Sequence, residues 1–126
     1  MSRLIEDLDR ACPGLDVDEI ADGIPYAWMG YFVRHIILAR LAGRDTELRA
    51  VFAVIERTLE QDNPSRAANY DSTLAVVGFL EGLQNEGLHP EDSKPADFHA
   101  YLGPKSRREW DMLNKFWGQL AGTRPV

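Results

Sequence analysis

Apolar residues recur at intervals of three and four along nearly the whole chain, and no stretch sustains an alternation at every second position. That pattern predicts helices and no sheet. Leu4, Ile5, Leu8 and Ala11–Cys12 make a first short stripe, which Pro13-Gly14 stops. Asp16 and Glu19 stand at capping-box spacing, so a short helix is expected through Ile20 to Asp22, ended by Gly23 and Pro25.

The next helix is expected from Pro25 to Ala42, with Pro25 at its first position and Gly43 at its end. It is apolar nearly all round. Tyr26, Met29, Val33, Ile36 and Ile37 form one face, and Trp28, Tyr31, Phe32, His35 and Ala39 a second. A helix with two apolar faces is either central to a domain or in contact with a partner. Asp45 is placed to cap a helix through Asp62, with the stripe Leu48, Val51, Phe52, Ile55 and Leu59. Asn63-Pro64 restarts the chain into a helix reaching Gly87. Its main face is Val76, Phe79, Leu80 and Leu83. Its narrow face of Ala75, Gly78 and Gly82 calls for another helix packed closely against it.

Residues 87–97 are polar, carry two prolines and read as a loop, and FHAYL as a single helical turn. Ser106 and Glu109 have capping-box spacing for the last helix. Trp110, Leu113, Phe116, Trp117 and Leu120 share one side of it, opposite Arg107, Arg108, Asp111, Asn114 and Lys115. The expected fold is all-α: residues 1–126 as a single domain of five or six helices, a bundle or a short helical-hairpin solenoid. Leu48, Phe52, Ile55, Val76, Phe79, Leu83, Trp110, Leu113 and Trp117 are its expected core.

Composition narrows the classes of function. With 126 residues, 44% hydrophobic and 27% charged, the chain can bury one sizeable core. A net charge of −6 disfavours general affinity for nucleic acid or an anionic membrane. The charge is uneven: residues 1–22 carry a net of −5, residues 81–97 a net of −4, and residues 98–126 a net of +3. The acidic regions suit either a solvated surface or a basic partner. The single Cys12 forms no internal disulfide, and acids interleave the N-terminal apolar residues. Arg34, His35 and Arg40 interrupt the most apolar stretch, which argues against a membrane span. A reducing, cytoplasmic setting is the expectation.

Catalytic motifs are missing from the sequence. His35, His89 and His99 do not pair at helical ligand spacing, and one cysteine does not make a structural zinc site, so no metal or cofactor is expected. No glycine-rich phosphate loop follows a strand, and no serine sits in a nucleophile elbow. Glu56 and Glu60, one helical turn apart, are the strongest carboxylate pair, although a solvated charged edge is their ordinary reading. Glu81 lies on an otherwise apolar helix, where a structural bond to a helix end or to Arg34 or Arg40 is expected.

Three segments carry a resemblance: ELRAVFAVIERTL (47–59), VVGFLEGLQNE (76–86) and YLGPKSRREWDMLNKFW (101–117). Together they resemble a family of small, uncharacterised, mostly helical bacterial proteins, some encoded beside polymorphic toxins and therefore candidate immunity proteins. The resemblance covers residues 26 to 117 and leaves the first 22 residues outside. Its motifs are helix faces and caps, so it carries no catalytic residue across. It implies a non-catalytic, cytoplasmic protein-binding domain that neutralises a cognate toxin. The expected contact residues are Glu56, Glu60, Asp62, Tyr70, Glu86, His89, Glu91 and Asp92. Two alternatives stand beside it: a small enzyme using Glu56, Glu60 or Glu81, and a homodimeric scaffold using the Trp28, Tyr31 and Phe32 face.

Overall fold

The computed structural model describes residues 3–13, 25–61 and 71–123, with side chains up to Trp117. The helix expected at residues 16–22 and the restart at Asn63-Pro64 lie outside the described residues. The chain forms α1 (Arg3–Ala11), α2 (Pro25–Leu41), α3 (Asp45–Glu60), α4 (71–84), a 3-10 helix (Pro95–Tyr101) and α5 (Pro104–Thr123). It is an all-helical single domain: the described residues form these six helices and a further short 3-10 turn at Glu86–Leu88, with no strand among them. Among those residues no helix is long and apolar enough to cross a membrane.

Helix α3 is the hub. It packs against α1, α2 and α5, while α2 and α5 both pack against α4. The helices α2, α3, α5 and α4 therefore close a ring around one core, with α1 laid against α3. Contacts between elements distant in sequence make this a bundle rather than a solenoid, whose units touch only their neighbours. Every apolar position of the α3 stripe is buried: Leu48, Val51, Phe52, Ile55 and Leu59. Phe52 meets Phe79 edge-on at 5.3 Å between ring centroids and stacks on Tyr101 at 5.5 Å. Trp28 stacks on Phe32 at 4.8 Å, so the aromatic contacts run from α2 through α4 and α3 to the 3-10 helix.

Helix α2 ends in a Schellman motif. Gly43 takes a φ of +76°, its N–H donates to Arg40 O, and the Arg44 N–H donates to Ala39 O. Along α4, a Cβ on Gly78 would lie 3.0 Å from Met29 Cγ, and one on Gly82 3.1 Å from Val33 Cγ2. The two glycines let α2 approach closely, as their spacing predicts.

Helix α4 departs from its expected register. Leu74–Leu80 is π-helical, and the Glu81 N–H reaches back five residues to Val76 O. Leu74 and Phe79, and Ala75 and Leu80, are buried pairs five apart. Val76, placed in the core by a 3.6-residue period, is only partly buried, and Val77 is exposed. The wider turn changes which side chains share a face.

The last helix also begins differently from its motif. Pro104 occupies the first helical position and the Arg107 N–H bonds to Gly103 O, so Ser106 lies inside the helix rather than capping it. The cap comes from α3. The Glu56 carboxylate accepts the Lys105 and Ser106 N–H groups, each at 2.9 Å, and the Ser106 hydroxyl at 2.8 Å. Asp45 likewise does not cap its own helix. Its carboxylate accepts Arg49 Nε and the Tyr101 hydroxyl, each at 2.7 Å, which ties the 3-10 helix to the start of α3. The Arg49 bond first, and then the Tyr101 bond, hold Asp45 below the usual carboxylate range.

Candidate functional site

A groove runs beside α4, on the side facing α5. One part, about 600 Å³, is lined by residues including Leu59, Glu60, Val76, Val77, Lys105 and Arg108. The other, about 710 Å³, is lined by residues including Val77, Glu81, Gln84, Glu86 and Trp117. Val77 belongs to both, so the π-helical stretch forms the saddle between them. The α5 wall is positioned at its start by the Glu56 cap. Further along, Gln84 Nε2 donates to the Trp110 carbonyl at 2.9 Å and ties α4 to α5.

The aromatic stripe of α5 divides here. Trp110 is buried and Leu113 partly so, but Trp117 is 38% and Phe116 53% exposed. The expectation that Trp117 fills the core is corrected. Gln84, near the end of α4, already stands at Trp110, and seven further residues carry the helix about 10 Å beyond it. Trp117 therefore lies on the lip of the groove, its ring edge-on to Phe116 at 5.4 Å.

The groove's carboxylates are Glu60, Glu81, Glu86 and Glu109, against Lys105 and Arg108. Among the described residues no hydrogen bond or ion pair reaches the side-chain carboxylates of Glu60, Glu81 or Glu86. The bond from Glu81 to Arg34, Arg40 or a helix end does not form among those residues, and Glu81 opens into the groove instead. This surface presents carboxylates around exposed apolar anchors.

The other expected contact residues are placed differently. Glu56 is engaged in the α5 cap: burial raises its pKa, but the bonds from Ser106 and Lys105 outweigh that and hold it below the usual range. Its charge is committed inside the fold. His89 is also bonded internally. Its Nε2 donates to Leu83 O at 2.7 Å, which leaves Nδ1 of the neutral ring to accept the Ser93 hydroxyl at 2.7 Å. Glu91 and Asp92 are exposed in the turn closed by the Ser93 N–H on Pro90 O. Asp62 and Tyr70 lie outside the described residues. On α2, Trp28 and Phe32 are fully buried, so of the proposed scaffold face only Tyr31 is exposed, beside Leu38 and Leu41.

In comparison with known proteins, residues 5–118 match a domain of unknown function, DUF7674. The chain belongs to the DUF7674 family. No curated protein and no solved structure matches it. The DUF7674 match starts at Ile5, so it takes in most of α1. It also takes in both walls of the groove. Within the DUF7674 domain, Val77, Lys105, Arg108 and Trp117 were not read as site residues from the sequence. The π register brings out Val77, and the distance α5 travels past α4 brings out Trp117. Neither leaves a mark in a 3.6-residue pattern.

Proposed function

We propose that this DUF7674 domain is a non-catalytic protein-binding module, and that the groove between α4 and α5 is where a basic partner docks. The supporting observation is the set of carboxylates Glu60, Glu81 and Glu86, without a partner among the described residues, around exposed Val77 and Trp117. Aromatic anchors inside a polar rim are the usual anatomy of protein interfaces. Acidic rims speed association with basic partners. The resemblance to proteins encoded beside polymorphic toxins supplies the kind of partner, a toxin that this domain neutralises by binding in the cytoplasm. Co-expression with the product of the neighbouring reading frame tests this. Co-purification with growth rescue, both lost on Trp117→Glu, is the expected result. A partner retained at full affinity by Trp117→Glu overturns the groove as the site, and failure of both co-purification and rescue overturns the toxin.

A second reading rests on α2. Tyr31 is 55%, Leu38 61% and Leu41 42% exposed, and they follow one another along one helix face. That face supports a homodimer, and a monomer by light scattering at high concentration removes the reading.

A further inference from the structure

Three helices bring Cys12, His35 and Glu47 together. Cys12 directly follows α1, its N–H bonded to Leu8 O at 2.9 Å. His35 lies in α2, and Glu47 in the first turn of α3. Cys12 is fully buried, and its Sγ donates to Glu47 Oε1 at 2.6 Å. His35 Nε2 stands 3.9 Å from the same oxygen, too far for a hydrogen bond. That nitrogen is sheltered from solvent and has no hydrogen-bond partner among the described residues. The three donor atoms all lie within 4.8 Å of one another.

We propose that Cys12, His35 and Glu47 bind one zinc ion. The thiol–carboxylate contact explains two of the three groups. It leaves a sheltered imidazole nitrogen unsatisfied, which is costly. A metal satisfies all three. A thiolate, an imidazole and a carboxylate are ligands zinc accepts together, whereas magnesium and calcium call for oxygen alone. Charge fits as well: one thiolate and one carboxylate balance a divalent ion, so the half-sheltered site carries no net charge. On binding, the Cys12 S–H bond breaks, an S–Zn bond forms and the proton leaves to solvent.

The geometry needs only side-chain movement. Zinc–ligand bonds of about 2.0–2.3 Å put tetrahedral neighbours about 3.3–3.8 Å apart. The histidine–glutamate separation is already close to that. Cys12 Sγ and Glu47 Oε1 move apart by about 1 Å, which rotation of the Glu47 side chain supplies. The other Glu47 oxygen stays near Arg44, now 3.6 Å away. Three protein ligands leave the fourth position to water or an external group. The site also joins the end of α1 to α2 and α3, so the ion holds α1 on the bundle. This inference is independent of the partner proposed for the groove.

The test uses the full chain, stripped with a chelator and kept reduced, titrated with zinc alone and with cobalt(II) alone. One equivalent of each binds, zinc raises the thermal midpoint, and the cobalt form shows thiolate-to-metal charge transfer with visible bands of tetrahedral intensity. Cys12→Ser, His35→Gln and Glu47→Gln each weaken zinc binding by more than the 10–100-fold typical of losing an outer-shell partner, while His99→Gln binds as the wild type does. A wild-type cobalt spectrum without the charge-transfer band overturns the proposal, whatever the variants do. So does undiminished zinc affinity in Cys12→Ser.

Discussion

A Cβ on Gly103 would lie 2.5 Å from Glu56 Oε1 and 2.6 Å from its Cδ. The carboxylate that caps α5 is thus pressed against the glycine that precedes the helix. Three bonds hold it there, from Lys105 N, Ser106 N and Ser106 Oγ. Gly103→Ala displaces Glu56, and Glu56→Ala removes it. Each is expected to cost about 1–2 kcal/mol, the range for losing a helix N-cap. Because they break the same contact, the double variant costs less than the sum. Urea midpoints for the four proteins check this. An unchanged midpoint for Gly103→Ala would mean that Glu56 caps equally well from elsewhere.

The same contact sets a pH dependence. Glu56 has a folded pKa below its ordinary value, because its hydrogen bonds outweigh burial. A carboxylate depressed in the folded state stabilises at pH values above its unfolded pKa, near about 4.3. That contribution is lost as pH falls through the folded value. The stability gap between wild type and Glu56→Gln is therefore expected to be full at neutral pH and to close below about pH 4. Denaturation curves across this range test it, and a gap that widens with acid contradicts the sign.

The two tryptophans of α5 should behave differently. Trp110 is 1% exposed, and Trp110→Ala is expected to cost about 3–5 kcal/mol. Phe52→Ala should cost as much, since Phe52 contacts Phe79, Phe98 and Tyr101. Trp117→Ala is expected to cost about 1 kcal/mol or less. Equal losses for the two tryptophans would place Trp117 in the core after all.

Much of the fold was legible because it follows local rules. The α3 stripe from Leu48 to Leu59 keeps a 3.6-residue period and is buried throughout. Gly43 ends α2 because its positive φ suits glycine. Residues joined by non-local geometry were not legible. Glu56 and Ser106 lie 50 positions apart, and Cys12 and Glu47 lie 35 apart. Ser106 and Glu109 have capping-box spacing, yet Pro104 starts the helix two residues before the serine. The groove escaped notice because the π-helical stretch leaves Val76, assigned to the core face, only partly buried and Val77, assigned to no face, exposed beside it. Glu60 and Glu86 were picked out by charge, but only the packing of α5 places them along one surface.

Close packing of α2 on α4 makes its own prediction. Replacing a helical glycine by alanine gains about 1 kcal/mol of propensity. At Gly78 the nearest contact is the Met29 side chain, which is flexible and yields. At Gly82 it is Val33, whose branched side chain holds a single rotamer in a helix. Gly82→Ala is expected to lower the thermal midpoint, and to lower it more than Gly78→Ala does. The reverse order would show that the α2–α4 spacing relaxes at Val33.

The groove's acidic lining can be tested apart from the fold. Reversing Glu56 is unsuitable, because a lysine there breaks the α5 cap. Glu60, Glu81 and Glu86 have no partner among the described residues, so their reversal to lysine removes no internal bond there. The triple variant is expected to keep the urea midpoint within about 0.5 kcal/mol per site. Its association with a basic partner should slow about tenfold or more at low salt, as attraction turns to repulsion. The difference should shrink as salt rises, because exposed charges are screened within about 8–10 Å near physiological ionic strength. Stopped-flow association at two salt concentrations measures both effects. Unchanged rates at low salt, with folding intact, would remove the groove's charge from recognition and leave the exposed α2 face at Tyr31, Leu38 and Leu41 as the surface to mutate next.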